Sequence, residues 1–159
     1  MKKIEYLWIV LVALFATTGC GGSSGDEPTP APAAFSVTGE WKLVSWSTLS
    51  SADIYASFDD AGTFELYQRL YTPEYRYLHG TYTYVKSILD GVYSDAVAWG
   101  SAYRVSFNAD GSQMTLTAEQ DAADVSVFAR AAIPDEVRAV KSETSVQPQT
   151  KSGVQLRFF

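Results

Sequence analysis

Over much of this chain the side chains alternate in character with a period of two, and turn-forming residues break the alternation every few positions. Phe64, Leu66 and Leu70 share one face of a segment whose other face carries Thr63, Glu65, Tyr67 and Arg69. Tyr103, Val105 and Phe107 alternate with Arg104 and Ser106, and Met114, Leu116 and Ala118 alternate with Thr115, Thr117 and Glu119. Val125, Val127, Ala129 and Ala131 oppose Ser126, Phe128 and Arg130. Successive Cβ atoms of a strand point to opposite faces, so period two marks a half-buried strand and rules out a helical body.

Turn chemistry falls at residues 48–52, Asp59-Asp60-Ala61-Gly62, Thr72-Pro73-Glu74, Asp90-Gly91, Trp99-Gly100-Ser101, Asn108-Ala109-Asp110-Gly111 and residues 120–124. These seven turns cut eight segments, of which residues 92–98 alternate least well. Every link is short enough for a hairpin, whereas a Greek key needs at least one long connection. Eight strands joined by hairpins form a meander with two raw edges, and closing it into an up-and-down barrel removes both. The expected fold is therefore all-β: a small antiparallel up-and-down barrel of about eight strands. Such a barrel has an interior that side chains can just fill, or that holds one small ligand.

After Ile133 the pattern changes. Pro134 suits a first helical turn, Asp135 and Glu136 follow, and Arg138 and Lys141 close the stretch. A short helix is expected there, with Val137 and Val140 toward the barrel. Residues 142–152 are polar, and Val154, Leu156 and Phe158 alternate again. They predict a final strand, pairing with the first strand near Trp41 so that neither edge is left raw.

The N-terminal region is of a different kind. Lys2 and Lys3 precede an apolar run of eleven residues, 6–16 (YLWIVLVALFA), then Thr17-Thr18-Gly19 and the chain's single cysteine, Cys20. A basic start, a short apolar run and small residues read as a secretory signal, because a spanning helix needs about 20 apolar residues. Thr17-Thr18-Gly19-Cys20 resembles the lipobox of bacterial lipoproteins, with Thr17 where leucine is usual. The resemblance implies that Cys20 carries the lipid, that residues 1–19 are removed, and that the chain is anchored in the cell envelope, at the outer membrane. Residues 21–34 (GGSSGDEPTPAPAA) hold no large apolar side chain and form a tether. The folded domain is then residues 35–159, long enough for one core. Without the signal, ten basic and seventeen acidic residues remain. That acidic balance argues against nucleic acid as a partner and leaves the membrane, through the anchor, as the expected one.

Gly39-Glu40-Trp41 resembles the G-x-W motif on the first strand of lipocalins, and GEWKLVSW followed by DDAGTFELY is similar to lipocalin-like domains of bacterial lipoproteins. An eight-strand meander, a helix and a short last strand follow the lipocalin order. The resemblance covers residues 35–133 best. It implies an arginine packed across Trp41, for which Arg130 is the candidate. Alternation sets Arg130 on the face opposite Val127 and Ala129, which are read as inward.

Little in the chain suggests chemistry. His79 is the only histidine, so multi-histidine metal sites are excluded, and its place beside Gly80 suggests a bulge or bend. Asp59-Asp60 and Asp121 with Asp124 offer oxygens of the kind calcium takes, but aspartate is common in turns for its local hydrogen bonds. No phosphate loop, CxxC pair or nucleophile elbow is present. No enzyme, cofactor or metal is expected.

Aromatic residues are the richer signal, with Tyr67, Tyr71, Tyr75, Tyr77, Tyr82, Tyr84, Tyr93, Trp99 and Tyr103 crowding the middle of the chain. They serve either as strand packing or as a ligand surface. Small residues at Ala118, Ala129 and Ala131, read as inward, against large ones at Phe64, Tyr82 and Tyr84 suit either a half-filled cavity or an interlocked solid core. The expected function is a membrane-anchored module binding a small apolar or amphipathic molecule, or a sugar fragment. Trp41, Phe64, Leu66, Gln68, Tyr82, Tyr84, Tyr103 and Phe107 would line the site. The alternative is a structural or protein-interaction module, an inhibitor among the possibilities, with a solid core. Gln68 shares a face with Phe64 and Leu66, so its amide needs a partner inside the barrel or a place at the wet rim.

Because Cys20 is the only thiol and follows the signal-like run, Cys20→Ser is expected to release the protein into the soluble fraction or stall its processing. Fractionation and mass spectrometry check this. Normal membrane retention of the variant, with no acyl mass on the parent protein, would contradict the anchor.

Overall fold

A computed structural model of the chain describes residues 35–144 and 156–159. The expected signal, Cys20 and the tether lie outside the described residues, as do Val154 and Gln155. The strands are β1 (Gly39–Trp46), β2 (Asp53–Phe58), β3 (Thr63–Arg69), β4 (Arg76–Val85), β5 (Ile88–Tyr93), β6 (Tyr103–Phe107), β7 (Gln113–Ala118) and β8 (Val125–Arg130). Each pairs antiparallel with the next, and β8 returns to β1, closing an eight-strand up-and-down barrel. Two short helices, α1 (Asp135–Arg138) and α2 (Val140–Thr144), follow.

Closure is made by β8 rather than by a ninth strand. Trp41 pairs with Arg130 and Leu43 with Phe128, so the free edge of β1 is already taken. Among the described residues the expected final strand is not formed: residues 156–159 carry no strand pairing, and Phe158 and Phe159 are buried in the main core instead. Two aromatic side chains gain more by leaving water than a further edge pairing would offer on a barrel without edges.

The β4–β5 hairpin also turns where the sequence does not advertise it. Val85 pairs with Ile88, leaving Lys86 and Ser87 as a two-residue loop with φ of 51° and 65°. Left-handed conformations at both loop residues are what a tight hairpin with the right twist requires, and Asn-Gly or Gly-Gly usually supply them. Asp90-Gly91, expected as the turn, lies inside β5 opposite Thr83 and Tyr82. Gly91 is there for space: a Cβ would come within 2.6 Å of the Trp99 ring. Residues 92–98 hold only the end of β5 and one isolated bridge, Val92 to Ala98. The β5–β6 seam is correspondingly thin, with two registered pairs, Ile88–Arg104 and Leu89–Tyr103.

In β8 the alternation is present but its phase is the reverse of the expected one. Ser126 and Phe128 are buried, whereas Val125, Val127 and Ala129 are half-buried on the outer side. Register decides this, because Met114 pairs with Phe128 and Leu116 with Ser126, and cross-strand partners share a face. Ala129 and Ala131 are therefore not inward, and of the small residues that suggested a cavity only Ala118 faces the core.

The same reversal turns Arg130 toward Trp41. Its guanidinium carbon lies 4.3 Å from the Trp41 ring centroid, and it donates to the carbonyls of Gly111, Thr38 and Ser36, each at 3.1 Å. The Trp41 indole donates to the Val37 carbonyl at 2.7 Å. This stack seals one end of the barrel beneath residues 35–38. It also explains Gly39, where a Cβ would stand 2.6 Å from the Arg130 guanidinium and φ is +122°.

α1 and α2 cover the outside. Pro134 is the N-cap of α1 and Val137 is its buried residue. Val137 and Ile133 pack on Tyr55 and Tyr67, with Tyr75 and Tyr77 at the margin, forming a second apolar cluster on the outer face of the sheet.

Candidate functional site

The expected ligand-lining set is largely inside the barrel. Trp41, Phe64, Leu66, Gln68 and Tyr103 are buried, and Tyr82, Tyr84 and Phe107 are half-buried against the same core. Trp41 and Phe107 meet at the sealed end, with ring centroids 6.1 Å apart. The Tyr82 ring meets Phe58 edge-on at 5.1 Å, and its hydroxyl donates to the Asp59 carbonyl at 2.7 Å.

What these residues surround is another part of the chain. The Phe159 ring stacks on Trp99 with centroids 4.0 Å apart and planes 13° from parallel. Tyr103 and Phe64 meet it edge-on at 5.7 and 6.0 Å. Phe158 sits edge-on to Trp46 at 4.8 Å and to Phe128 at 5.5 Å. Edge-on and stacked pairs place ring edges against ring faces, which adds to the gain from burial.

Polar groups complete the enclosure. The Gln68 amide nitrogen donates to the Leu156 carbonyl at 2.9 Å, and its oxygen accepts from the Phe158 N–H at 2.9 Å. The sequence leaves Gln68 either partnered inside the barrel or at the wet rim; it is buried, and its partner is the main chain of residues 156–158. The Tyr93 hydroxyl donates to the Phe159 oxygen at 2.9 Å and the Tyr103 hydroxyl to the Phe158 carbonyl at 3.4 Å. Burial pushes both phenols well above the ordinary tyrosine range, so each keeps its proton and remains a donor. Among the described residues, Trp99 Nε1 is the one buried side-chain polar atom without a hydrogen-bond partner.

At the mouth Arg157 points the other way. It forms an ion pair with Asp95 and lies 4.4 Å from the centroid of the Tyr93 ring. Leu156 is exposed. Burying two phenylalanines gains about 3–6 kcal/mol, and ordering four residues costs about 4–8 kcal/mol of backbone entropy. The four side-chain hydrogen bonds, at about 0.5–1.5 kcal/mol each, therefore decide whether the segment stays.

Many of the mid-chain tyrosines lie outside this interior. Tyr67 and Tyr77 donate to the two oxygens of Glu65, at 3.0 and 3.2 Å, and Tyr75 donates to Asp53 at 2.7 Å. Lys141 of α2 is ion-paired with Glu65, and Arg138 of α1 with Glu40. Burial acts to raise the Glu65 carboxyl, but the bonds from Lys141 and the two tyrosines hold it below the ordinary range. These tyrosines fasten the helices to the sheet. Alternation had placed Tyr67 on the outer face; the carboxylate each phenol meets carries no signal in the sequence.

Outside β3, β4 and β5 runs an open groove of about 340 Å³, lined among others by Glu65, Tyr77, His79, Thr81 and Val92. His79 is not at a bulge: it sits mid-strand opposite Glu65, its ring stacked on Tyr77 at 5.3 Å. The paired acids have protein partners: Asp59 accepts from the Thr63 N–H at 2.8 Å and Asp121 from the Ala123 N–H at 2.9 Å within their turns, and Asp124 accepts from the Trp46 indole at 2.6 Å. Among the described residues no group of three or more His, Cys, Asp or Glu side chains is placed to hold a metal ion.

No protein-family model and no curated protein sequence matches the chain. Among solved structures it is similar to the lipoprotein YedD from Klebsiella pneumoniae, with 14% sequence identity over 75% of this chain and 93% of that one, and a TM-score of 0.46. At that distance nothing further about this chain follows from the likeness.

The Asp95–Arg157 pair yields a pH expectation. The hydrogen bond from Arg157 holds the Asp95 carboxyl at about 2, below its ordinary 3.8. A carboxylate lowered in the folded state stabilises fully above its unfolded value and loses that contribution as the pH falls through the folded one. Tryptophan emission is expected to report loosening of residues 156–159 between about pH 4 and pH 2. Other carboxylates titrate in the same range, so the difference from Asp95→Asn carries the test. An identical acid transition in that variant would contradict the clamp.

Proposed function

We propose that the chain is an exported lipoprotein, held at the outer membrane through Cys20, whose lipocalin-like barrel acts as a protein-interaction module of the cell envelope and not as an enzyme. The observation that carries this reading is the filling of the barrel by Phe158 and Phe159, both buried in the core. A small molecule entering the interior has first to displace them. Trp41, Phe64, Leu66, Gln68, Tyr103 and Phe107 then serve as core, and contact with a partner falls to the outer surface. The groove beside His79 and Tyr77, lined also by the exposed Val92, offers that surface a place for a partner side chain.

A second reading is kept, because Gln68, Tyr93 and Tyr103 aim their polar atoms at residues 156–159 and not at neighbouring strands. Displacement of the segment would leave a lined, partly polar interior for a small amphipathic ligand.

Native mass spectrometry of the mature protein from its natural host separates the two. The polypeptide with its acyl groups and no further mass is expected. A stoichiometric small molecule that leaves on mild activation would overturn the solid-core reading and put ligand binding in its place.

A further inference from the structure

We propose that the barrel interior is a binding site for peptide segments carrying two consecutive aromatic side chains, and that residues 156–159 occupy it in cis. The inference goes beyond the outer-surface function above: that reading stands if the segment proves fixed, and it loses the filled barrel as its support if the segment exchanges.

The way the segment is held carries the argument. In a parallel ladder, one residue of a strand bonds to the carbonyl before and the N–H after its opposite number. Gln68 makes that pairing with its side chain: its amide bonds the Leu156 carbonyl and the Phe158 N–H, on either side of Arg157. It recognises main chain, which every peptide has. Tyr103 and Tyr93 donate to the Phe158 and Phe159 oxygens. No strand pairing fixes residues 156–159, so side chains of the barrel wall supply the polar contacts, as they would for a ligand.

Selectivity comes from the rings. The box of Trp99, Phe64 and Tyr103 takes the second aromatic side chain, and Trp46 with Phe128 takes the first. The residue before them faces the mouth, where Asp95 and the Tyr93 ring favour a cation. Without an occupant, Gln68, Tyr93 and Tyr103 would present buried polar groups to an apolar void, an arrangement that a solid core avoids.

The test uses the full mature chain with a site-specific protease sequence placed within residues 145–155. After cleavage the released segment is expected to stay bound in native mass spectrometry and to exchange, one for one, with isotope-labelled Leu-Arg-Phe-Phe. Leu-Arg-Ala-Ala should not exchange at the same concentration, and Gln68→Leu should weaken retention by about tenfold or more. A fragment that never exchanges while the barrel stays folded would make it fixed core and overturn the proposal. Equal exchange by Leu-Arg-Ala-Ala would overturn it too, as would loss of the fragment without rebinding. Should cleavage unfold the barrel, the uncut Phe158→Ala/Phe159→Ala chain is used. Added Leu-Arg-Phe-Phe must raise its melting temperature, and no rise would refute the site.

Discussion

An eight-strand barrel encloses a volume that water enters only at the cost of exposing apolar walls, so something has to fill it. In this protein the wall side chains fill it at one end, where Arg130 covers Trp41. At the other, Phe158 and Phe159 complete the packing by stacking on Trp99 and wedging between Trp46, Phe128 and Tyr103. Much else follows from that contact. Gln68 stays buried because the segment satisfies its amide. Gly91 is a glycine because Trp99 lies on it. The thin β5–β6 seam borders Trp99 and Tyr103, where the inserted rings bridge what two registered strand pairs leave weak.

Two kinds of electrostatics act around this core. Inside, tyrosines whose protons burial retains serve as fixed donors. Outside, the Glu65 and Glu40 ion pairs tie the short helices to the sheet at sites where solvent still reaches the charges. Partly exposed pairs of that kind contribute little each. The apolar contact of Val137 and Ile133 with Tyr55 and Tyr67 is the firmer part of the attachment.

Much of the architecture was legible in the sequence because period two and short links leave few options. A closed up-and-down barrel of eight strands and the inward turn of Phe64 and Leu66 follow from pattern and hairpin length alone, although the fifth strand lies at Ile88–Tyr93 and not over residues 92–98. The failures have definite causes. Asp90-Gly91 looks like a turn, but its glycine answers to a ring one strand away, while Lys86-Ser87 adopts left-handed conformations that neither residue advertises. The phase of β8 depends on register with β7, since valine and alanine suit either face. Phe158 alternates as a strand residue would, and only the absence of a free edge sends it inward. The sequence leaves Gln68 between a partner inside and the wet rim, because nothing in the pattern names a segment 88 residues away in the chain.

The central claim is that residues 156–159 fill the barrel, and solution NMR of the mature protein tests it most directly. Nuclear Overhauser contacts from the Phe159 ring to the Trp99 indole, and from Phe158 to Trp46, are expected, together with ring-current shifts on Leu66 or Met114. Random-coil shifts for Phe158 and Phe159, with no contact to either indole, would contradict it.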